Sequence, residues 1–217
     1  MISDDSRYIL RLISEGEHQQ QDFKYKITDA MKLARSVSAF ANTDGGRLLI
    51  GVRDDGVISG VRSEEEIYMM HAAAYEYCRP ASSIKFDTYY AAGRNVVIAT
   101  VPPALRKPVC AHVRDGKYRA FIRIADENII ASPVQLRMWK DEQSKHGSML
   151  HYTDEESAFL KLMGNSGMQT LNQIVRRSGM GRYQVIALLS RFIRFGLVRQ
   201  VYDGDGRFLF GTMPETD

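Results

Sequence analysis

Three carboxylates in the first quarter of the chain are the residues best placed to do catalytic chemistry. Glu17 precedes a segment that alternates like a half-buried strand, Asp22 lies within that segment, and Asp54 follows a second, apolar strand. If the two strands are neighbours, the three side chains converge. Clustered carboxylates bind Mg²⁺ or Mn²⁺, which activates water and neutralises charge at a scissile phosphate. The trio predicts a metal-dependent nuclease site, unless Asp22 and Asp54 are ordinary solvated residues.

Basic side chains accompany these carboxylates. A surface that follows a nucleic-acid backbone needs such cations, because each one neutralises a phosphate and releases a counterion. The candidates in this half of the chain are Lys24, Lys26, Lys32, Arg35, Arg47 and Arg53.

A second set of polar residues lies near the end of the chain. Arginine forms bidentate contacts with guanine, and glutamine does the same with adenine. Base recognition has two alternatives for such residues: they belong to a solvated helix face, or they form a surface for dimerisation or protein docking. The candidates are Arg182, Tyr183, Gln184, Arg191 and Arg194 on a predicted helix, with Arg199 and Arg207 on a predicted hairpin.

The glycine-containing segment from Asn42 to Gly46 suggests a nucleotide-binding loop, but it does not have the required pattern. A P-loop needs successive backbone N–H groups around a phosphate, followed by lysine and then serine or threonine. Glycines that permit a positive-φ turn between a helix and a strand explain the segment better. We therefore expect no ATP, and no cofactor apart from Mg²⁺ or Mn²⁺ if the protein is a nuclease.

Five tyrosines form a further group of candidates. Such side chains stack on bases, but tyrosine-rich surfaces are more often core edges or subunit interfaces. The group consists of Tyr68, Tyr75, Tyr77, Tyr89 and Tyr90.

Regular elements must position these residues. The opening block predicts a strand over 19–26, a helix over 29–41 capped by Thr28, and a strand over 47–52. On the helix, Met31, Ala34 and Phe40 face inward and Lys32 and Arg35 outward. Asp55-Gly56 predicts a hairpin turn into a further strand over 57–61.

The rest of the first half continues as a mixture of helices and strands. A short amphipathic helix over 5–14 precedes the opening block. Ser63 caps a helix that ends near Tyr77. Strands then follow at 84–91, 95–101, 109–113 and 117–124, before a closing helix over 132–139. The pattern predicts an α+β domain with a mostly antiparallel or mixed sheet.

The last third of the chain has a different plan. A polar segment without periodicity ends near His151, and helices are predicted over 154–163, 171–177 and 182–195. Thr153 and Thr170 cap the first two, and Asp203 to Gly206 form the turn of a terminal hairpin. Three helices followed by a hairpin resemble the winged-helix family, whose third helix enters a major groove.

The first half resembles the Schlafen-type AlbA-like domain. The residues that carry this likeness are Glu17, Asp22-Phe23-Lys24, Ala39 to Thr43, Gly45-Gly46, Gly51-Val52, Arg79-Pro80, Val101-Pro102, Lys107-Pro108 and Phe121-Ile122-Arg123. The likeness covers residues 8–140 and implies a nucleic-acid-binding module of bacterial regulators. It also implies that Glu17, Asp22 and Asp54 match the acidic trio of Schlafen ribonucleases, with aspartate replacing glutamate at position 22.

Composition and charge set the outer bounds. The 217 residues are 44% hydrophobic and 25% charged, typical of a globular protein, and the net charge of +3 is compatible with a polyanionic partner. Cys78 and Cys110 indicate reduced thiols in a cytoplasm. No membrane association is expected.

We therefore predict a Schlafen AlbA-like domain over 1–140, a linker over 141–151 and a winged helix-turn-helix domain over 152–217. The predicted function is nucleic-acid binding, with duplex DNA the first candidate and RNA the second, by a homo-oligomeric transcriptional regulator. A metal-dependent ribonuclease and a protein-interaction module are the alternatives.

Overall fold

The computed structural model describes residues 3–61, 64–144 and 153–214. Its contacts divide the chain into two compact units, Met1–Ala131 and Ser132–Asp217. The first unit mixes helices and sheets, as the sequence predicts. Its elements in chain order are α1 (Asp4–Glu15), β1 (Gln21–Lys24), α2 (Ala30–Asn42), β2 (Gly46–Ile50), α3 (Glu64–Tyr75), β3 (Cys78–Arg79), β4 (Lys85–Ala91), β5 (Arg94–Val101), β6 (Cys110–His112), β7 (Tyr118–Ile124) and β8 (Glu127–Ile130).

Two four-stranded sheets form this unit. The first has the order β1-β2-β5-β4, and the second has the order β3-β6-β7-β8. β1 and β2 run parallel with Asp22 level with Leu48, whereas every other pairing in the two sheets is antiparallel. One face of the first sheet packs on α1 through Ile9 and Leu12. The opposite face packs on α2 and α3.

Helix α2 lies in the centre of the larger core. The helix contributes Leu33, Val37 and Phe40 to a cluster that also contains residues of both sheets, such as Leu48 and Phe121. Burial extends to the small residues between them, so that the helix is buried on nearly all sides beyond Leu33. The prediction of a solvated second face therefore holds only for its first turn, because the second sheet covers the rest.

Local signals in this unit are mostly confirmed, with two exceptions. The N-cap of α2 is Asp29, whose carboxylate accepts a hydrogen bond from the Lys32 amide, whereas the predicted cap was Thr28. The predicted strand over 57–61 is also absent: a single bridge joins Val52 to Ile58 after the turn. The predicted cap at Ser63 lies outside the described residues.

The second unit is built from α4 (Pro133–Glu142), α5 (Asp154–Gly164), β9 (Gln169–Thr170), α6 (Leu171–Ser178), α7 (Arg182–Arg194), β10 (Val198–Tyr202) and β11 (Phe208–Thr212). Thr153 and Thr170 form capping boxes at the starts of α5 and α6, as predicted. The strands form one sheet with the order β10-β11-β9. Phe159, Leu189 and Phe192 lie in the hydrophobic core of this unit.

Helix α4 belongs to this second unit rather than to the first. Val134 is fully buried in the core that contains Val185 and Phe192, and Ser190 donates a hydrogen bond to Asp141 at 3.0 Å. The sequence-based prediction assigned this helix to the end of the first domain. Its position along the chain suggested that assignment, but position along the chain does not show which core the apolar face of a helix joins. The predicted linker over 141–151 lies mostly outside the described residues.

Cys78 and Cys110 are free thiols on adjacent strands. In the described part of the chain, no helix has the length and apolar character that a membrane crossing requires.

Candidate nucleic-acid interface

Three lysines meet at the start of α2. Lys24 ends β1, Lys26 follows two residues later, and Lys32 lies in the first turn of the helix. All three line a groove of about 210 Å³ whose floor includes Ile27 and Leu33. The buried side chain of Ile27 fixes the loop between strand and helix, so that the lysines face the same space. This juxtaposition gathers positive charge suited to an anion.

Nearby carboxylates modulate that charge. The Lys24 ammonium lies 2.8 Å from Oδ2 of Asp22, whose side chain is almost completely buried. Asp29 also borders the groove, but its carboxylate serves as the helix cap. Lys26 and Lys32 are exposed and form no ion pair within the described ranges. The groove thus keeps two lysines available to a ligand and a third that a buried carboxylate orients.

Glu17 and Asp22 form a carboxyl pair behind Lys24. The Phe23 amide donates to Oε1 of Glu17 at 2.8 Å, and a tight turn between His18 and Gln21 brings Glu17 back over β1. Burial, together with the carboxyl of Asp22, raises the pKa of Glu17 to about 7. A carboxyl group of this kind can exchange a proton near neutral pH.

Asp54 does not join the pair. In the parallel pairing of β1 and β2, a residue before β1 and a residue after β2 lie toward opposite ends of the strands. Asp54 occupies an exposed turn beyond the carboxyl end of β2. Among the described residues, no group of three or more histidines, cysteines or carboxylates is arranged to hold a metal ion. The predicted convergence of three carboxylates therefore does not occur.

The donor set around Asp22 does not suit a divalent cation. One carboxylate oxygen already lies against Lys24, and the other lies 3.6 Å from Nη2 of Arg123. Positive protein groups thus stand where a metal ion would have to bind. The residues as folded do not fit the Mg²⁺ or Mn²⁺ site that the sequence suggests.

Arg123 is a component of this site that was not among the residues predicted from the sequence. Its guanidinium is nearly inaccessible, donates to the Gln21 carbonyl and to Asn128, and lies over the ring of Phe40. Phe121 and Arg123 alternate onto the core side of β7, where an arginine is rare unless it is paired. That alternation was the available signal, although it could not indicate the partner.

The other basic candidates of this unit lie outside the lysine groove. Arg47 donates to Gln21 at 2.6 Å and pairs with Glu15. Arg53 lies 3.4 Å from Asp55 in the exposed turn, and Arg35 is half-buried against the ring of Phe121. Of the six predicted phosphate contacts, the structure thus gathers Lys24, Lys26 and Lys32 and disperses the arginines.

The segment from Asn42 to Gly46 serves packing. Asn42 donates to the carbonyls of Val109 and Phe121 at 2.7 and 2.8 Å, and it accepts from the Val109 amide at 2.8 Å. Gly45 has a positive φ, and a Cβ at Gly46 would lie 2.3 Å from the ring of Phe40. The double glycine allows the chain to turn tightly beneath a core phenylalanine.

In the second unit, several predicted contact residues are already engaged. Arg182 donates to Asn172 at 2.6 Å, Gln184 donates to Glu155 at 2.7 Å, and Arg191 pairs with the buried Glu156. Arg207 pairs with Asp203 across the hairpin turn. The acidic partners of Arg191 and Arg207 reduce the charge that these two arginines present to solvent.

Three of the predicted residues of this unit are exposed to solvent. Tyr183, at the start of α7, is 87% exposed. Arg194, at the end of the same helix, and Arg199, on β10, are also exposed.

Comparison with known proteins identifies the first unit. A family model described as Schlafen, AlbA_2 matches residues 17–132, more than half of the chain. The chain belongs to the Schlafen AlbA_2 family. The Schlafen AlbA_2 match contains the lysine groove, the carboxyl pair and Arg123, and it ends where the second unit begins.

Two solved structures resemble this Schlafen AlbA_2 protein distantly. The DIP2311 protein of Corynebacterium diphtheriae is 18% identical with a TM-score of 0.48, over 85% of this chain and 36% of that one. The N-terminal domain of a DNA helicase RecG-related protein of Nitrosomonas europaea is 18% identical with a TM-score of 0.40, over 70% of this chain and 99% of that one. The chain thus spans about a third of the first structure's length. No curated protein matches it.

Proposed function

We propose that the protein binds nucleic acid and that the lysine groove (Lys24, Lys26 and Lys32) holds backbone phosphates. The observation that carries the proposal is the convergence of the three lysines on one groove beside the first turn of α2. Phosphate oxygens suit this site because lysine ammonium groups act as mobile point charges and contribute affinity without reading sequence. Membership of the Schlafen AlbA_2 family supports a nucleic-acid ligand over other polyanions.

For the second unit we propose a winged helix that adds duplex-DNA contacts. Helices α5 to α7 and a three-stranded sheet with a terminal hairpin support this assignment. In such a domain α7 enters the major groove and the hairpin crosses the backbone. Tyr183, Arg194 and Arg199 are the contacts favoured by their exposure, and binding as a homodimer to two half-sites would increase affinity in a transcriptional regulator.

RNA cleavage is the second candidate function, and the carboxyl pair is the observation that favours it. Glu17 has a pKa of about 7 and lies beside Lys24, which lines the proposed phosphate groove. A carboxylate in that position would accept the proton of a ribose 2′-hydroxyl as its oxygen attacks the adjacent phosphorus, while the bond from phosphorus to the 5′-oxygen breaks and that oxygen takes up a proton from water. This cleavage proposal requires Glu17 and assigns no role to Asp54. Glu17→Gln would therefore abolish cleavage, whereas Asp54→Asn would not.

The test is a fluorescence-anisotropy titration of the full chain with labelled duplex DNA, single-stranded DNA and structured RNA at two salt concentrations. Lys26→Glu plus Lys32→Glu is expected to weaken binding at least tenfold. In this variant, the slope of log K against the logarithm of the salt concentration is expected to become shallower by about two, because each phosphate contact contributes about 0.9 to that slope. A gel of the same samples reports cleavage.

The matched control carries the same charge change at exposed lysines outside the groove, Lys85→Glu plus Lys117→Glu. If both double variants lose affinity equally, binding follows net charge and the groove assignment fails. Arg194→Ala plus Arg199→Ala, compared with Lys161→Ala plus Arg176→Ala, tests the second unit. Unchanged duplex binding in the first of these pairs would remove the winged-helix proposal.

A further inference from the structure

A stripe of aromatic side chains runs along the outer face of α3. Tyr68, His71 and Tyr75 are spaced three and four residues apart, which places them on one side of the helix. Tyr68 is 67% exposed and Tyr75 is 48% exposed. The ring of His71 stacks on Tyr75 with centroids 5.8 Å apart and lies 4.6 Å from the ring of Phe86 on β4. His71 thus joins Tyr75 and Phe86 in one aromatic surface, and Tyr68 extends it by one helical turn along α3.

Tyr68, His71 and Tyr75 lie outside the main core, whereas Phe86 packs against its edge. The opposite side of α3 anchors the helix, because Met70, Ala73 and Ala74 are completely buried in the main core. Large apolar side chains that lie together in solvent mark interaction sites more often than isolated ones do. Tyrosine in particular combines a broad apolar face with low conformational entropy, which suits it to protein interfaces.

The charge around the stripe restricts what it can bind. Residues 64–77 include four glutamates and neither lysine nor arginine. Glu65 lies one helical turn before Tyr68, Glu76 follows Tyr75, and both are exposed. These carboxylates repel nucleic-acid phosphates. They also disfavour a symmetric contact between two copies of the stripe, because such a contact would bring like charges together.

We propose that the aromatic surface of α3 binds an arginine-bearing basic segment of a partner protein. A guanidinium stacks on tyrosine and histidine rings by its planar face and retains its N–H donors for the flanking carboxylates. The rings supply the contact area, and Glu65 and Glu76 supply the charge complementarity. This surface shares no residue with the lysine groove, so the two proposals can be tested independently.

The experiment is a polarisation titration of the full chain with three labelled twelve-residue probes, in which glycine alternates with arginine, lysine or glutamate. The arginine probe is expected to bind at least tenfold more tightly than the lysine probe, and the glutamate probe is expected not to bind. The double variant Tyr68→Ala plus Tyr75→Ala is expected to bind the arginine probe at least tenfold more weakly than the parent protein. The double variant Glu65→Gln plus Glu76→Gln is expected to bind it severalfold more weakly.

Matched controls use exposed residues elsewhere in the first unit. Tyr25→Ala controls for loss of a tyrosine, and Asp126→Asn plus Glu127→Gln controls for loss of two carboxylates. Both are expected to bind the arginine probe as the parent protein does. Circular dichroism and thermal unfolding of every variant separate lost binding from lost structure.

Three outcomes would overturn the proposal. One is equal affinity for the arginine and lysine probes that is unaffected by the tyrosine changes. Another is a dimer, detected by sedimentation equilibrium, that dissociates in Tyr68→Ala plus Tyr75→Ala. The third is a loss of single-stranded DNA binding in the same variant. The nucleic-acid proposal is tested separately, because nucleic-acid binding is expected to depend on Lys26 and Lys32 and not on the tyrosines.

Discussion

At the scale of single residues, the buried ion pair between Arg123 and Asp22 is the dominant feature of the first unit. Both side chains are almost completely shielded from water, and each makes further contacts with protein groups. Burying a charge is costly unless it is paired, so that removing one partner leaves the other uncompensated. The pair also connects β7 to β1, which carries Lys24 into the groove.

Arg123→Met is therefore expected to lower the free energy of unfolding by about 3–5 kcal/mol, because it leaves Asp22 and the Gln21 carbonyl without their guanidinium. Urea denaturation measures this change. Arg119→Met, on the same strand but exposed, is expected to cost less than about 1 kcal/mol. Equal losses in the two variants would mean that the ion pair contributes nothing specific.

Glu17 makes stability depend on pH. Its pKa is raised from 4.5 to about 7 in the folded protein, so the folded state holds a proton that the unfolded state releases. The stabilisation is complete below pH 4.5 and is lost as the pH rises toward and through 7. Glu17→Gln should remove this dependence and stabilise the protein at pH 8 by about 1–2 kcal/mol, a range that allows for solvent screening.

Denaturant titrations at pH 5 and pH 8 test this prediction. Glu127→Gln, an exposed glutamate in the same unit, serves as the control and should leave the pH dependence unchanged. The prediction would be contradicted if the free energy of unfolding were the same at pH 5 and pH 8, both in the parent protein and in Glu17→Gln.

At the scale of elements, the end of α2 decides how the two sheets of the first unit meet. Asn42 forms three hydrogen bonds with the chain at Val109 and Phe121, and Ser38 adds one to each of the same two residues. Backbone groups of the second sheet are thus satisfied by side chains of a helix that packs on the first. The sequence places Asn42 in a helix-breaking segment, but its partners lie more than sixty positions away.

Asn42→Ala is expected to reduce the free energy of unfolding by about 2–4 kcal/mol, because it leaves buried carbonyl and amide groups without partners. Asn95→Ala, at an exposed position of β5, is expected to change it by less than about 0.5 kcal/mol. Thermal or urea unfolding of both variants gives the comparison. A mild effect at Asn42 would show that water replaces the lost contacts.

Local signals predict elements well and their neighbours poorly. Thr153, Thr170 and the turn at Asp203 to Gly206 act within a few residues, and the structure confirms each one. The predicted solvated face of α2 is wrong beyond its first turn because a second sheet covers it. A short helix of small residues gives no sequence signal for how many layers will pack around it.

At the scale of the whole molecule, each unit has its own core, and the boundary between their contacts falls at residue 131. The sequence places the end of the first domain at residue 140. The difference is helix α4, whose Val134 side chain is buried in the core of the second unit.

A fragment of residues 132–217 is therefore expected to unfold cooperatively, whereas a fragment of residues 141–217 is expected to be less stable. Losing Val134 and the rest of α4 uncovers core residues of α7, at a cost of about 2–5 kcal/mol. Circular dichroism melting curves of the two fragments measure the difference. Identical curves would support the boundary near residue 140.

The sequence by itself determined most of the elements, several of their caps and turns, and the family likeness, because these depend on residue types at short spacing. It also indicated which charged residues were available for a phosphate surface. Only the tertiary structure decided which of them meet: the parallel pairing of β1 and β2 separates Asp54 from Glu17, and β7 brings Arg123 to Asp22. Electrostatic sites depend on distances of a few ångströms between chain-distant groups, and those distances are fixed only when the layers pack.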